Sequence, residues 1–174
     1  MKTKEHFKTG VLLVAGGARL GASGLGGVSL IKQQLEEDRV VRRRVFFKRH
    51  QAVSSQIEAE MLAAVAALKH AVQDGVETMV FRTSSQHVVK GMTEWMSGWE
   101  QNGWRNNKGK EVLHRDLWLI LREIAGGLVI NWEWASAKSD PLVASANAVA
   151  DDAARGIFKA ASDLKKYHPQ LFAD

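Results

Sequence analysis

Thr83-Ser84-Ser85-Gln86-His87-Val88-Val89-Lys90-Gly91-Met92-Thr93-Glu94-Trp95 is the stretch on which the reading turns. It runs on through Gly98-Trp99, Asn102-Gly103-Trp104-Arg105, Lys108-Gly109-Lys110 and Arg115-Asp116-Leu117-Trp118. Val88, Met92 and Trp95 recur at helical spacing, so a helix with a tryptophan-rich continuation is predicted, broken at Asn106-Asn107-Lys108-Gly109. Just upstream, Glu77 to Arg82 suits a strand. Downstream, Leu117, Ile120, Leu121 and Ile124 mark an amphipathic helix that stops at Gly126-Gly127, and Leu128 to Trp134 reads as another strand.

Further out, Gly10-Val11-Leu12-Leu13-Val14-Ala15 reads as a short buried strand, Gly16 to Gly27 as a glycine-rich turn, and Val28-Ser29-Leu30-Ile31 as a second strand. A basic third strand follows. Ser55 with Glu58 forms a capping box, after which Ile57, Met61, Ala64, Val65, Leu68 and Val72 predict a helix over 55–73. The last helix follows Pro141, with Asp151 and Asp152 off its apolar stripe. Three strands, helix, strand, helices, strand, helix make an α/β layered domain with an antiparallel hairpin region at one end.

Length and composition bound the function. The 174 residues, 45% hydrophobic and 25% charged with two prolines, suit one globular domain and exclude bulk disorder. Zero cysteines exclude disulfides, thiolate metal sites and thiol nucleophiles. No membrane-spanning or targeting segment is evident, so an intracellular protein with no membrane partner is expected. The six histidines show no metal-type spacing, the serines form no nucleophile elbow, and the glycine-rich turn lacks the Gly-Lys-Ser/Thr of a phosphate loop.

The net charge of +5 is concentrated in Arg39–His50, which carries six cations and no acid. Period-two alternation there puts Arg42, Arg44, Phe46 and Lys48 on one face. Two readings stay open: an edge strand protected by its cations, or a surface that contacts phosphates. Trp95, Trp99 and Trp104, close to Arg105, Lys108 and Lys110, likewise either pack helices together or grip a nucleic-acid backbone.

The chain resembles type 1 ribonuclease H. Thr83-Ser84-Ser85-Gln86-His87-Val88 is similar to the family's T-D-S-x-Y-V, and Asp116-Leu117-Trp118 to its D-L-W. Ala59-Glu60-Met61-Leu62-Ala63 is similar to A-E-L-x-A, and Asn147 to Ala154 to N-E-x-x-D-x-L-A. The resemblance implies a five-stranded mixed sheet, three antiparallel strands then parallel ones, flanked by helices. It covers residues 10–160, leaving an N-terminal extension at 1–9 and a C-terminal helical tail at 161–174.

The resemblance also implies cutting of the RNA strand of RNA/DNA hybrids by two Mg²⁺ ions on an Asp-Glu-Asp-Asp set, because two close divalent ions need several hard anionic ligands. Carried over residue by residue, that set is Ala15, Glu60, Ser84 and Asp151 here. No acid lies between Glu5 and Glu36 to replace Ala15, and the family's histidine loop is Ser136-Ala137-Lys138-Ser139-Asp140-Pro141. On these grounds the expectation is a protein that is not an enzyme, with Mg²⁺ or Mn²⁺ binding lost or weak and no cofactor. It would bind RNA/DNA hybrid or double-stranded RNA through Gln86, the three tryptophans, Arg105, Lys108, Lys110 and the basic strand. A protein-interaction or self-association scaffold is the alternative, and a residual metal-dependent nuclease on Glu60 and Asp151 a third.

Overall fold

The computed structural model describes residues 9–173, so residues 1–8 of the expected N-terminal extension lie outside it, as does Asp174. A five-stranded sheet in the order β3-β2-β1-β4-β5 forms the middle layer. β1 (Gly10–Leu20) pairs antiparallel with β2 (Leu25–Glu36), and β2 with β3 (Arg39–His50). On the other side β1 pairs parallel with β4 (Thr78–Thr83), and β4 with β5 (Val129–Trp134).

Alternation along β1 sorts the interior into two cores. Leu13 and Ala15 face α1 (Gln56–Gln73) and α4 (Arg115–Ala125), and are buried with Met61, Leu68, Phe81, Trp118 and Leu121. Leu12 and Val14 face α5 (Pro141–Arg155), and are buried with Val143, Ala146 and Val149. The tail belongs to this second core. Leu164 of α6 (Ser162–Tyr167) and Leu171 are buried in it, Phe158 meets Phe47 at 4.5 Å between ring centroids, and the Arg43 guanidinium donates to the Leu171 carbonyl at 3.0 Å.

One sequence reading needs correcting and another refining. Gly16 to Gly27 is mostly strand: only Gly21–Ser23 forms a short 3-10 turn between β1 and β2. The glycines there serve close approach. A Cβ on Gly16 would lie 2.4 Å from the Ala146 carbonyl oxygen, and one on Gly27 would lie 2.0 Å from that of Ala150. Glycines on the sheet and alanines on the helix let α5 settle backbone to backbone on β1 and β2. The tryptophan-rich helix runs unbroken as expected but is not uniformly α-helical: α2 (Gln86–Lys90) passes through a π-helical turn at Gly91–Trp95 into α3 (Met96–Gln101). One extra residue in that turn re-aims Trp95 and Trp99 relative to a regular helix. Among the described residues no helix is long and apolar enough to cross a membrane.

Candidate active site and nucleic-acid interface

β1, α1, β4 and α5 meet at one corner. Ala15 pairs with Thr83 across β1 and β4, which sets Ser84 beside it at the end of β4. α1 begins at Ser55, whose side chain accepts from the Glu58 amide, and Gln56 then fastens the helix to β1. Its Nε2 donates to the Gly17 carbonyl at 2.7 Å and to Glu60 Oε1 at 3.2 Å, while its Oε1 accepts from the Arg19 amide at 3.1 Å. Glu60, partly exposed, is thereby held over β1 one turn into the helix.

From α5, Asn147 reaches this corner by a direct hydrogen bond. Asn147 Nδ2 donates to Ser84 Oγ at 3.1 Å, and Trp134 Nε1 donates to the Ser84 carbonyl at 3.0 Å. Asp151 lies one turn further along α5 and accepts from Arg155 Nε at 2.7 Å, while Asp152 pairs with His168 at 2.8 Å. Asn147 and Asp151 are i and i+4 on one helix face, so the apolar pattern alone does not separate them. The helix starts at Asp140, whose Oδ1 accepts the amides of Leu142 and Val143.

The tryptophans divide. Trp99 stands between Trp95 at 5.8 Å, Trp104 at 6.1 Å and Trp118 at 5.2 Å, centroid to centroid, with the rings tilted to one another, so the group is an aromatic cluster beneath the segment after α3. Trp104 is buried, with Arg115 over its outer face, and is no open surface for a ligand. Trp95 and Trp99 are partly exposed and line a cleft with Asn102 and Arg105. The following loop exposes Arg105, Lys108 and Lys110, its shape fixed by Asn106 Oδ1, which accepts the amides of Lys108 and Lys110. Between this handle and the start of α1 runs a mostly apolar cleft of about 310 Å³, lined by Ile57, His87, Trp99, Leu113 and His114. Gln86 is exposed at the first turn of α2.

His87 joins that cleft to the aromatic cluster, 5.3 Å from Trp95 and 5.5 Å from Trp118. Burial holds its imidazole below the usual pKa, opposed by Glu60 and reinforced by His114. The unfolded chain protonates this residue as pH falls through about 6.5, and the folded chain resists. The stability that neutral His87 contributes is therefore complete above that pH and is lost progressively below it. Thermal melts at about pH 7.5 and about pH 5.5 should show a smaller acid-induced drop for His87→Gln than for the wild type.

The basic strand splits as well. Arg42 and Arg44 lie with Lys32 in a cleft at the far end of α1, Lys48 lines a separate apolar cleft with Phe46 and His70, and Arg43 faces the tail. None of these residues is at the Glu60 corner.

Comparison with known proteins follows the same lines. The RNase H family model matches residues 9–159. The chain belongs to the ribonuclease H family. The Ribonuclease H of Treponema pallidum is 31% identical over 159 residues, 87% of this chain and 94% of that protein. That of Pelobacter propionicus is 35% identical over 118 residues, 68% of each chain. Among solved structures, LC9-RNase H1, described as a type 1 RNase H with the type 2 active-site motif, superposes with a TM-score of 0.73 at 23% identity, covering 86% of this chain and 74% of that one. LC11-RNase H1 in complex with RNA/DNA hybrid superposes with a TM-score of 0.62 at 15% identity, covering 85% and 99%.

These findings correct two expectations. The altered positions led to the expectation that the chain is no enzyme, yet its curated relatives carry an enzyme's name at 31% and 35% identity. The expectation of lost or weak Mg²⁺ or Mn²⁺ binding falls with it, because the family model and the curated relatives put the chain in the family for which the resemblance implies Mg²⁺ dependence. The side chains at the corner nevertheless differ from a four-carboxylate cage. Glu60 stands there with the neutral oxygens of Ser84 and Asn147, Asp151 lies one turn further along α5, and among the described residues no three His, Cys, Asp or Glu side chains converge as a metal site. These donors do not fit the two-ion, four-carboxylate centre that the resemblance implies.

Proposed function

We propose that this ribonuclease H family member binds RNA/DNA hybrid in the groove between the start of α1 and the handle. The observation that carries the reading is the joint placement of an exposed cationic loop, Arg105 to Lys110, and the cleft of Ile57, His87, Trp99 and Leu113, whose His87 lies within reach of the Glu60 charge. Lysines supply sequence-independent attraction to phosphates, and the cleft's apolar side chains suit sugars and base edges. The hybrid complex of LC11-RNase H1, which shares the fold, supports the choice of ligand. Gln86, Trp95 and Trp99 border the groove in this reading, while Trp104 only supports the handle.

Lys108→Gln with Lys110→Gln tests it. Both side chains are exposed and make no ion pair among the described residues, so the fold should be unaffected. Hybrid binding by the pair should weaken, with the salt dependence shallower by about 2 in log–log slope, since each phosphate contact contributes about 0.9. An unchanged slope rules the handle out. Double-stranded RNA of the same sequence, binding equally, would show that A-form shape rather than the hybrid is recognised. Any cleavage of the RNA strand should require Glu60, so Glu60→Gln should abolish it and leave binding intact.

A further inference from the structure

We propose a second nucleic-acid contact at the opposite end of α1 from Glu60, where a cationic cleft between β2, β3 and the end of the helix holds the phosphodiester backbone of a strand. The cleft measures about 510 Å³ and its polar lining is Lys32, Gln34, Arg42, Arg44 and Asp74. Strand register explains how they meet: Lys32 lies opposite Arg44, and Gln34 opposite Arg42, on the sheet face that carries α1.

Protection of a free edge does not account for this arrangement. β3 is an edge strand, and scattered cations would suffice to keep it from pairing. Here two cations stand directly opposite each other, a placement that costs stability. Asp74 relieves only part of that cost. It is bonded to Lys32 and its charge also reaches Arg44, but Arg42 and Arg44 are exposed and neither makes an ion pair among the described residues. The two guanidinium groups project from positions two apart on an extended strand, about 6.6 Å, and each offers a planar fork suited to phosphate oxygens.

The cleft's shape favours nucleic acid over an acidic peptide. Its apolar sides are limited to Val11 and Val76, so it offers little to peptide side chains, whereas the cations and the Gln34 amide suit a repeating anionic backbone. Asp74 follows Glu60 by fourteen residues along α1, about 21 Å at helical rise. That distance equals about six base pairs of duplex. The cleft thus lies well beyond the corner at which Glu60 sits, and its contact adds to hybrid binding at the handle without depending on it.

The test uses the full chain with Arg42→Glu and Arg44→Glu, and separately Arg42→Gln and Arg44→Gln. The glutamine pair serves if the charge-reversed one fails to fold, and melting curves verify folding. The probes are an RNA/DNA hybrid of about 30 base pairs and a DNA duplex of the same sequence, titrated across salt, with poly-glutamate as competitor. The expected result is a log–log salt slope shallower by about 2 for the neutral pair, with the Lys108 and Lys110 variants losing slope independently. Should the wild type bind the DNA duplex through these arginines but not the hybrid, the hybrid reading falls and this one stands. Slopes unchanged on both probes, no binding to either, or poly-glutamate binding in place of nucleic acid would overturn it.

Discussion

Gly27→Ala should destabilise the protein by about 3 kcal/mol or more, the upper end of what overpacking a core costs. The added methyl would lie 2.0 Å from the Ala150 carbonyl oxygen and 2.6 Å from the Ala154 amide nitrogen. Both are backbone atoms of α5, so no rotamer change makes room and the helix itself must lift from the sheet. For a chain of this size the loss corresponds to a melting temperature lower by about 6–12 °C. Lifting α5 also separates Asn147 from Ser84, so damage reaches the corner through packing. Gly98→Ala is the internal control: that glycine lies in α3 with no atom within 4 Å of an added Cβ, and alanine there should be neutral or stabilising by about 0.5–1 kcal/mol. Calorimetric melts of the two variants decide the matter. A Gly27→Ala protein that melts with the wild type would mean that α5 does not sit on β2 as closely as described.

The second large effect is a gain. Ala15→Asp, Ser84→Asp and Asn147→Asp together should make stability depend on divalent metal. Ala15 is 2% exposed, and a carboxylate there, close to two others and to Glu60, is both desolvated and repelled. Without metal the triple variant should therefore melt below the wild type. With Mg²⁺ or Mn²⁺ four carboxylates would surround the ion, and ligand linkage at a hundredfold excess over the dissociation constant returns about 2.7 kcal/mol. The version that keeps Asn147 and relies on Asp151 should respond much less, because Asp151 is one turn away and engaged by Arg155. Melts with chelator and with added metal read this directly. Equal responses from the two versions would assign the corner to Asp151, and no response from either would mean that these side chains do not converge.

Much of this architecture can be read in the residues themselves. The capping box at Ser55 and Glu58, the apolar spacing through Val72 and the stretch from Thr83 to Trp95 lead to α1, β4 and the helical segment that follows, and β3 alternates as its residues require. The glycine-rich segment misleads because glycine has two uses. Its conformational freedom suits turns, but at Gly16 and Gly27 the missing Cβ admits a helix, which only the facing alanines of α5 reveal. The corner is half legible. Ala15, Glu60, Ser84 and Asp151 come from the family resemblance and not from periodicity, whereas the hydrogen bond of Asn147 to Ser84 shows only in three dimensions. The cleft of Lys32, Arg42 and Arg44 is not legible at all from the chain, since Lys32 comes from a different strand and its alignment with Arg44 depends on the β2–β3 register.

Hybrid recognition is tested most directly by titrating the wild-type protein with a labelled RNA/DNA hybrid at low and at moderate salt, with and without Mg²⁺. Tight binding at low salt that weakens steeply as salt rises is the predicted result, the signature of several phosphate contacts. Absence of binding at low salt would contradict the account.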